Sequence, residues 1–172
     1  MTVGAGHYAS THFIDADGRP SLLFWIRGIS DPGTWVGALS VPYVVSHDGS
    51  RTALTPHPTV AAARSTSTGG EPATALDVEW SPHGTGTLRP VGPDGVSRAD
   101  LALADGVLTI SVPGADPVVV EHHEPTLRVI ADAQVPEIVA DGGLVGLQLT
   151  DVAGGLIPYA DDPSHLAWWH LS

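Results

Sequence analysis

An all-β fold, a two-sheet antiparallel sandwich of jelly-roll or concanavalin-like type, is what this sequence predicts, and three observations predict it. Apolar residues recur at period two through most segments, the spacing of strands with one buried face. Turn pairs separate those segments at Asp17-Gly18, Asp48-Gly49, Asp94-Gly95, Asp105-Gly106, Asp141-Gly142 and Gly154-Gly155, which is hairpin chemistry. Twenty Gly and 15 Pro among 172 residues punctuate short apolar runs. A chain of this length is expected to form one domain, residues 1–172, around a real core.

The elements follow in order. Tyr8 to Ile14 and Leu22 to Arg27 form a first hairpin around Asp17-Gly18. After a turn at Asp31-Pro32-Gly33, Val36 to Ser46 reads as one strand. Thr59 to Arg64 is the only segment expected to be helical, with Thr59 as N-cap, and Ser65 to Ala75 reads as a polar surface loop. Strands are then expected at Leu76 to Ser81, Ala99 to Ala104, Val107 to Val112, Val118 to His123, Leu127 to Asp132, Glu137 to Ala140, Leu144 to Thr150 and His165 to Leu171. Alternation places Leu76, Val78 and Trp80 on one core face, as it does Leu108, Ile110 and Val112, and Leu127, Val129 and Ala131. Leu22 to Ile26 and Val118 to Val120 are apolar on both faces, which predicts cover on both sides.

Nineteen acids against seven bases give a net charge of −12, and every base is Arg, spread along the chain. Without a basic stripe, neither nucleic acid nor an anionic membrane is expected as a partner. Met1 to Gly6 has no leader character and no run reaches the length of a membrane span, so a cytoplasmic protein is expected; the absence of Cys agrees with a reducing compartment.

Three constellations carry possible chemistry. Glu121-His122-His123-Glu124 is the densest His and carboxylate cluster, but strand neighbours face opposite ways, so too few ligands converge for a metal and none is expected. The five Trp form the second: core packing is expected for Trp25 and Trp80, while Trp35, Trp168 and Trp169, with Tyr43 and Trp80 itself, are candidates for ligand contact. Asp161, Asp162, His165 and His170 form the third, arranged either as a proton shuttle beside the indoles or as ordinary turn chemistry. Of these, His122, His165, His170 and Asp161 are the candidate catalytic groups. No nucleophile elbow, zinc-protease motif, phosphate loop or dinucleotide fingerprint occurs, so no cofactor is expected.

Gly6 to Gly28, with its His7-Tyr8-Ala9 strand, Asp15-Ala16-Asp17-Gly18-Arg19 turn and apolar second strand, resembles the last propeller hairpin of glycoside hydrolase family 32, the invertases, levanases and inulinases. Trp35-Val36-Gly37-Ala38-Leu39-Ser40-Val41-Pro42 continues the likeness, with Tyr43 where the family has Arg. So do Thr52 to Arg64, Leu127 to Asp132 and Val135 to Gly143. The resemblance implies the family's C-terminal β-sandwich, with residues 1–28 joined to it and without the catalytic propeller. The family's nucleophilic Asp, its Arg-Asp-Pro and its acid/base Glu have no counterpart, and Ser30-Asp31-Pro32-Gly33 lacks the Asn residues of the nucleophile motif. Fructosidase activity needs two carboxyl groups held across a scissile bond and is not expected of this chain.

Two functions follow. The first is an intracellular, cofactor-independent enzyme of cyclase, cycloaddition or isomerase type, holding a small apolar natural product in a pocket by shape and aromatic contacts. The second is a non-catalytic fructan-binding or accessory module that uses exposed aromatic faces. In either case a homodimer is expected, through the face a propeller would cover.

Overall fold

The computed structural model describes residues 2–3, 6–31, 35–65 and 70–172, without the side chains of 2, 3, 28–31, 35 and 36. In chain order the strands are β1 (Thr2–Val3), β2 (His7–Ile14), β3 (Pro20–Asp31), β4 (Trp35–Leu39), β5 (Tyr43–His47), β6 (Thr52–Pro56), β7 (Ala75–Trp80), β8 (Gly86–Val91), β9 (Asp100–Ala104), β10 (Val107–Ser111), β11 (Val118–Glu121), β12 (Leu127–Asp132), β13 (Val135–Ala140), β14 (Gly143–Gly146), β15 (Ile157–Ala160) and β16 (Leu166–His170), with one short helix, α1 (Pro58–Ala62).

Two sheets make the sandwich: six strands in the order β1-β14-β13-β12-β7-β16, and five in the order β11-β10-β9-β8-β15. Between them lie the alternating residues that the sequence picks out, Leu76, Val78 and Trp80 from β7 and Leu127 and Ala131 from β12, against Leu101, Leu108 and Ile110. Each such side chain removed from water contributes about 1.5 to 3 kcal/mol. Two hairpins close on left-handed pairs, Asp105 (φ 52) with Gly106 (φ 76) and Asp141 (φ 45) with Gly142 (φ 67). Positive φ at both central residues matches the twist of the flanking strands.

A third sheet, β2-β3-β5-β6 with β4 also paired to β3, is added to this sandwich and contains the N-terminal hairpin. Its Phe24, Tyr43 and Leu54 pack on Val139 and Leu144, and Ile26 packs on Val135. Hence β13 is buried at all six positions: one face meets the sandwich core, the other the third sheet. At the centre of that second contact is the enclosed carboxylate of Glu137. Its Oε1 accepts from the Val41 amide at 2.8 Å, and its Oε2 accepts from the Tyr43 hydroxyl at 3.1 Å and lies 3.0 Å from His7 Nε2. Burial, and then the neighbouring Glu137 carboxylate, hold the Tyr43 hydroxyl well above its usual pKa, so it stays a donor.

Several expectations are corrected by identifiable physics. The helix begins one residue earlier than expected and is capped by His57, not Thr59: Pro58 occupies its first position, and His57 Nδ1 accepts from the Thr59 amide at 3.2 Å. Its other ring nitrogen, Nε2, donates to Asp15 Oδ2 at 2.8 Å. The expected strand Val36 to Ser46 is two strands: the ladder ends at Ser40, whose amide still donates to the Phe24 carbonyl at 2.9 Å but whose side-chain Oγ accepts from the Phe24 amide at 2.9 Å. Trp25 is 42% exposed and Val119 59% exposed, so neither apolar run is covered on both sides; among the described residues β11 is an edge strand and no sheet covers the outward face of β3. Trp25 instead lies on Gly37, whose φ of 96° and missing side chain both suit the contact. Pro32 and Gly33 of the expected turn and residues 66–69 of the expected loop lie outside the described residues.

Candidate functional site on the edge strand of the six-stranded sheet

The predicted site residues do not converge. Tyr43 and Trp80 are enclosed, the first beneath the third sheet and the second in the sandwich core, so neither offers a ring face to a ligand. Trp35 contributes its backbone to β4, and its side chain lies outside the described residues. Asp161 is exposed and pairs with Arg89 at 2.9 Å, while Asp162 caps the turn Pro163–His165 by accepting from the Ser164 amide at 3.0 Å. His165 meets His83 edge-on, ring centroids 4.2 Å apart, and His170 Nε2 donates to the Glu71 carbonyl at 3.2 Å. Within this set His165 Nε2 lies 3.4 Å from Asp162 Oδ2, while Asp161 and His170 are engaged with Arg89 and the Glu71 carbonyl, so the four groups do not gather at one point.

His122 is enclosed, and neither ring nitrogen has a hydrogen-bond partner among the described residues; the nearest charge is Asp141 Oδ1, 3.4 Å from Nδ1. Burial pushes its pKa down, against the opposing pull of Asp141. A histidine whose folded pKa lies below its unfolded value near 6.5 contributes stability above that value, and this is lost as pH falls through the folded one. His122→Leu is therefore expected to flatten the fall in Tm between pH 7 and pH 5, with stability at pH 7 equal or higher. An unchanged slope would refute the assignment. Among the described residues no three metal-ligating side chains gather.

Between the sandwich sheets lies an aliphatic cavity lined by residues such as Leu76, Leu88, Leu101 and Leu149. The aliphatic cavity there holds about 30 Å³, roughly the room of one or two waters, and no Trp or His lines it. The larger hollows, of about 420 to 530 Å³, are open grooves at sheet margins.

A polar and aromatic arrangement lies on the face of β7 and β16 opposite the sandwich core. Because Leu76, Val78 and Trp80 face the core, Asp77 and Glu79 face outward. Register sets Trp169 opposite Asp77 on one side and Arg128 opposite Glu79 on the other. Asp77 is fully buried. Arg128 grips both its oxygens, with Nε at 2.8 Å and Nη2 at 2.7 Å, and Arg64 Nε adds a bond to Oδ2 at 2.6 Å. Arg64 also reaches Glu79 through Nη2, and its guanidinium stacks 3.7 Å above the Trp169 ring. Burial pushes the Asp77 carboxyl up, but the hydrogen bonds from Arg128 and Arg64 outweigh it and hold it below the usual range.

Those facts determine what the site can do. Asp77 is ionised and its acceptor positions are taken by guanidinium groups, so it serves as neither general base nor general acid near neutral pH. Glu79 and Trp169 are partly exposed, and their partner Arg64 is held in place by Asp77. The result is a pre-set, partly exposed patch of one indole, two guanidinium groups and one carboxylate. On the other face of β16, Trp168 packs against the core edge, 5.5 Å from His170. Sequence reasoning named Trp169 but missed Arg64, Asp77, Glu79 and Arg128. The alternation Leu76-Asp77-Val78-Glu79-Trp80 was the available signal, since two acids on the outer face of a strand need cationic partners.

No protein-family model matches the sequence, and no curated protein matches it. Solved structures do. A family 32 β-fructofuranosidase from Bombyx mori matches 96% of this chain and 40% of its own at 14% identity, with a TM-score of 0.78. Sucrose-6-phosphate hydrolase from Lactobacillus gasseri matches 97% of this chain and 41% of its own at 13% identity, with a TM-score of 0.75. A family 32 glycoside hydrolase from Bifidobacterium adolescentis matches 98% and 32% at 19% identity, with a TM-score of 0.70. The chain thus spans about 40% of the length of the first two, and at these identities the likeness is one of fold. In fold, the chain resembles the C-terminal β-sandwich of glycoside hydrolase family 32 with its last propeller hairpin, and the catalytic propeller has no counterpart in these 172 residues.

Proposed function

We propose that this chain is a non-catalytic carbohydrate-contacting module, accessory to hydrolysis of fructose-containing sugars. The observation that carries it is the partly exposed patch of Trp169, Arg64 and Glu79, fixed from below by buried Asp77. A sugar ring offers an apolar C–H face that suits an indole, and vicinal hydroxyls that suit the paired donors of Arg and the acceptor pair of a carboxylate. The fold likeness to a β-fructofuranosidase supports fructose-containing ligands over other sugars. The reading as a natural-product cyclase or isomerase requires an enclosed aromatic pocket, and the aliphatic cavity of about 30 Å³ gives it no support.

Affinity electrophoresis in gels containing levan or inulin tests the proposal. Wild-type protein is expected to be retarded, and Trp169→Ala to weaken binding about tenfold, the effect of losing about 1.4 kcal/mol of stacking. Trp168→Ala, on the opposite face of the strand, is expected to change binding little. Equal retardation of wild type and folded Trp169→Ala, or no retardation of wild type, would remove the proposal.

A further inference from the structure

We infer that β2 is a self-pairing edge through which two copies of this chain associate, antiparallel, about a two-fold axis near Thr11. Among the described residues β2 pairs only with β3, so alternate N–H and C=O groups along its other side face outward. It is eight residues long, exposed over most of its length, and contains no charged residue and no proline. Edge strands are usually guarded by those very features. Its one irregularity, the register shift at Tyr8, lies at one end and leaves Ala9 to Ile14 regular.

Charge selects a second copy as the occupant. In a chain of net charge −12, most surfaces repel their own copy, whereas β2 carries no acid. Its ends differ in sign. Beyond Ile14, Asp15, Asp17 and Arg19 form an ion-paired turn of net charge −1, from two acids and one base. Beside Tyr8, the Arg27 guanidinium lies 4.3 Å over the tyrosine ring and makes no ion pair among the described residues. Antiparallel pairing places the positive end of each copy beside the negative end of the other. It also brings Tyr8, at the register shift and 66% exposed, to the end of the partner copy's strand where Ile14 is 64% exposed, an aromatic and β-branched contact. Opposite residues in this register sum to 22, so Thr11 faces its own copy on the axis.

Sedimentation velocity on the full chain tests this with charges on the axis. Wild type is expected to sediment at twice the chain mass. Thr11→Glu and Thr11→Lys, folded by circular dichroism, are each expected to weaken dimerisation at least about tenfold through like-charge contact, and an equimolar mixture of the two to restore the dimer. A monomeric wild type overturns the inference, whether its β2 amides exchange freely or are protected by another occupant such as an oligosaccharide. So does a dimer that either variant leaves intact, or a mixture that stays monomeric.

Discussion

Asp77→Ala is expected to destabilise the protein by about 3 to 5 kcal/mol, measured as a lowered urea midpoint with an unchanged slope. The carboxylate is fully buried and takes three hydrogen bonds from two arginines. Truncating it leaves Arg64 and Arg128 facing each other across an empty position, with only Glu79 to share. Most of the loss is the penalty of two poorly paired cations, not the worth of the pair itself. Asp77→Asn keeps the shape and removes the charge, so it is expected to recover only a minor part of the loss. The acid limb gives a second readout. Because the folded carboxyl has a lowered pKa, it contributes stability above the unfolded value near 3.9, and that contribution disappears as pH falls through the folded one. Stability of Asp77→Ala is therefore expected to fall less steeply than that of wild type below about pH 4. Parallel acid limbs would show that the arginines do not depend on this carboxylate.

Glu137→Ala is expected to cost about 3 kcal/mol, since three polar groups lose their acceptor in a buried contact. The Val41 amide, the Tyr43 hydroxyl and His7 Nε2 all converge on this one carboxylate, and all three come from the side of the third sheet. The damage should therefore be local. Hydrogen exchange is expected to rise through β2, β3 and β5 while amides of β9, β10 and β12 keep their protection. Uniform loss across both regions would mean that the third sheet and the sandwich unfold as one unit and that Glu137 is not their fastening. Leu54, whose amide donates to the Gly142 carbonyl at 2.8 Å, marks the far edge of the same contact and should report the same loss.

What the sequence makes legible is set by range. Leu127 to Asp132 coincides with β12 to the residue, because alternation and the flanking turns are local signals. The Asp-Gly pairs at 105–106 and 141–142 name their turn type outright, since left-handed backbone at two successive positions has few residue solutions. β8 and β15 escaped notice because each contains a proline, yet Pro90 and Pro158 stand opposite each other where the edge strand β15 joins the sheet. That placement costs the ladder little. Trp25 misled for a different reason: an apolar run records what a strand can bury, and what covers it belongs to other parts of the fold. The site was half legible. Trp169 stood out as an adjacent pair with Trp168, but its support comes from Arg64 and Asp77, which are joined to Arg128 only when β7 and β12 pair across 51 positions of sequence. Side chains meeting across so distant a pairing leave no periodic trace.

The reading of an open, non-catalytic sugar-contacting face is tested most directly by a titration of labelled protein with a short fructo-oligosaccharide, followed by nuclear magnetic resonance. The expected result is a saturable set of shifts at the indole N–H of Trp169, the Nε–H of Arg64 and the amides of β7 and β16, with Trp80 unmoved. Shifts confined to residues around the sandwich cavity, such as Leu88 and Leu149, or no shifts at all, would contradict it.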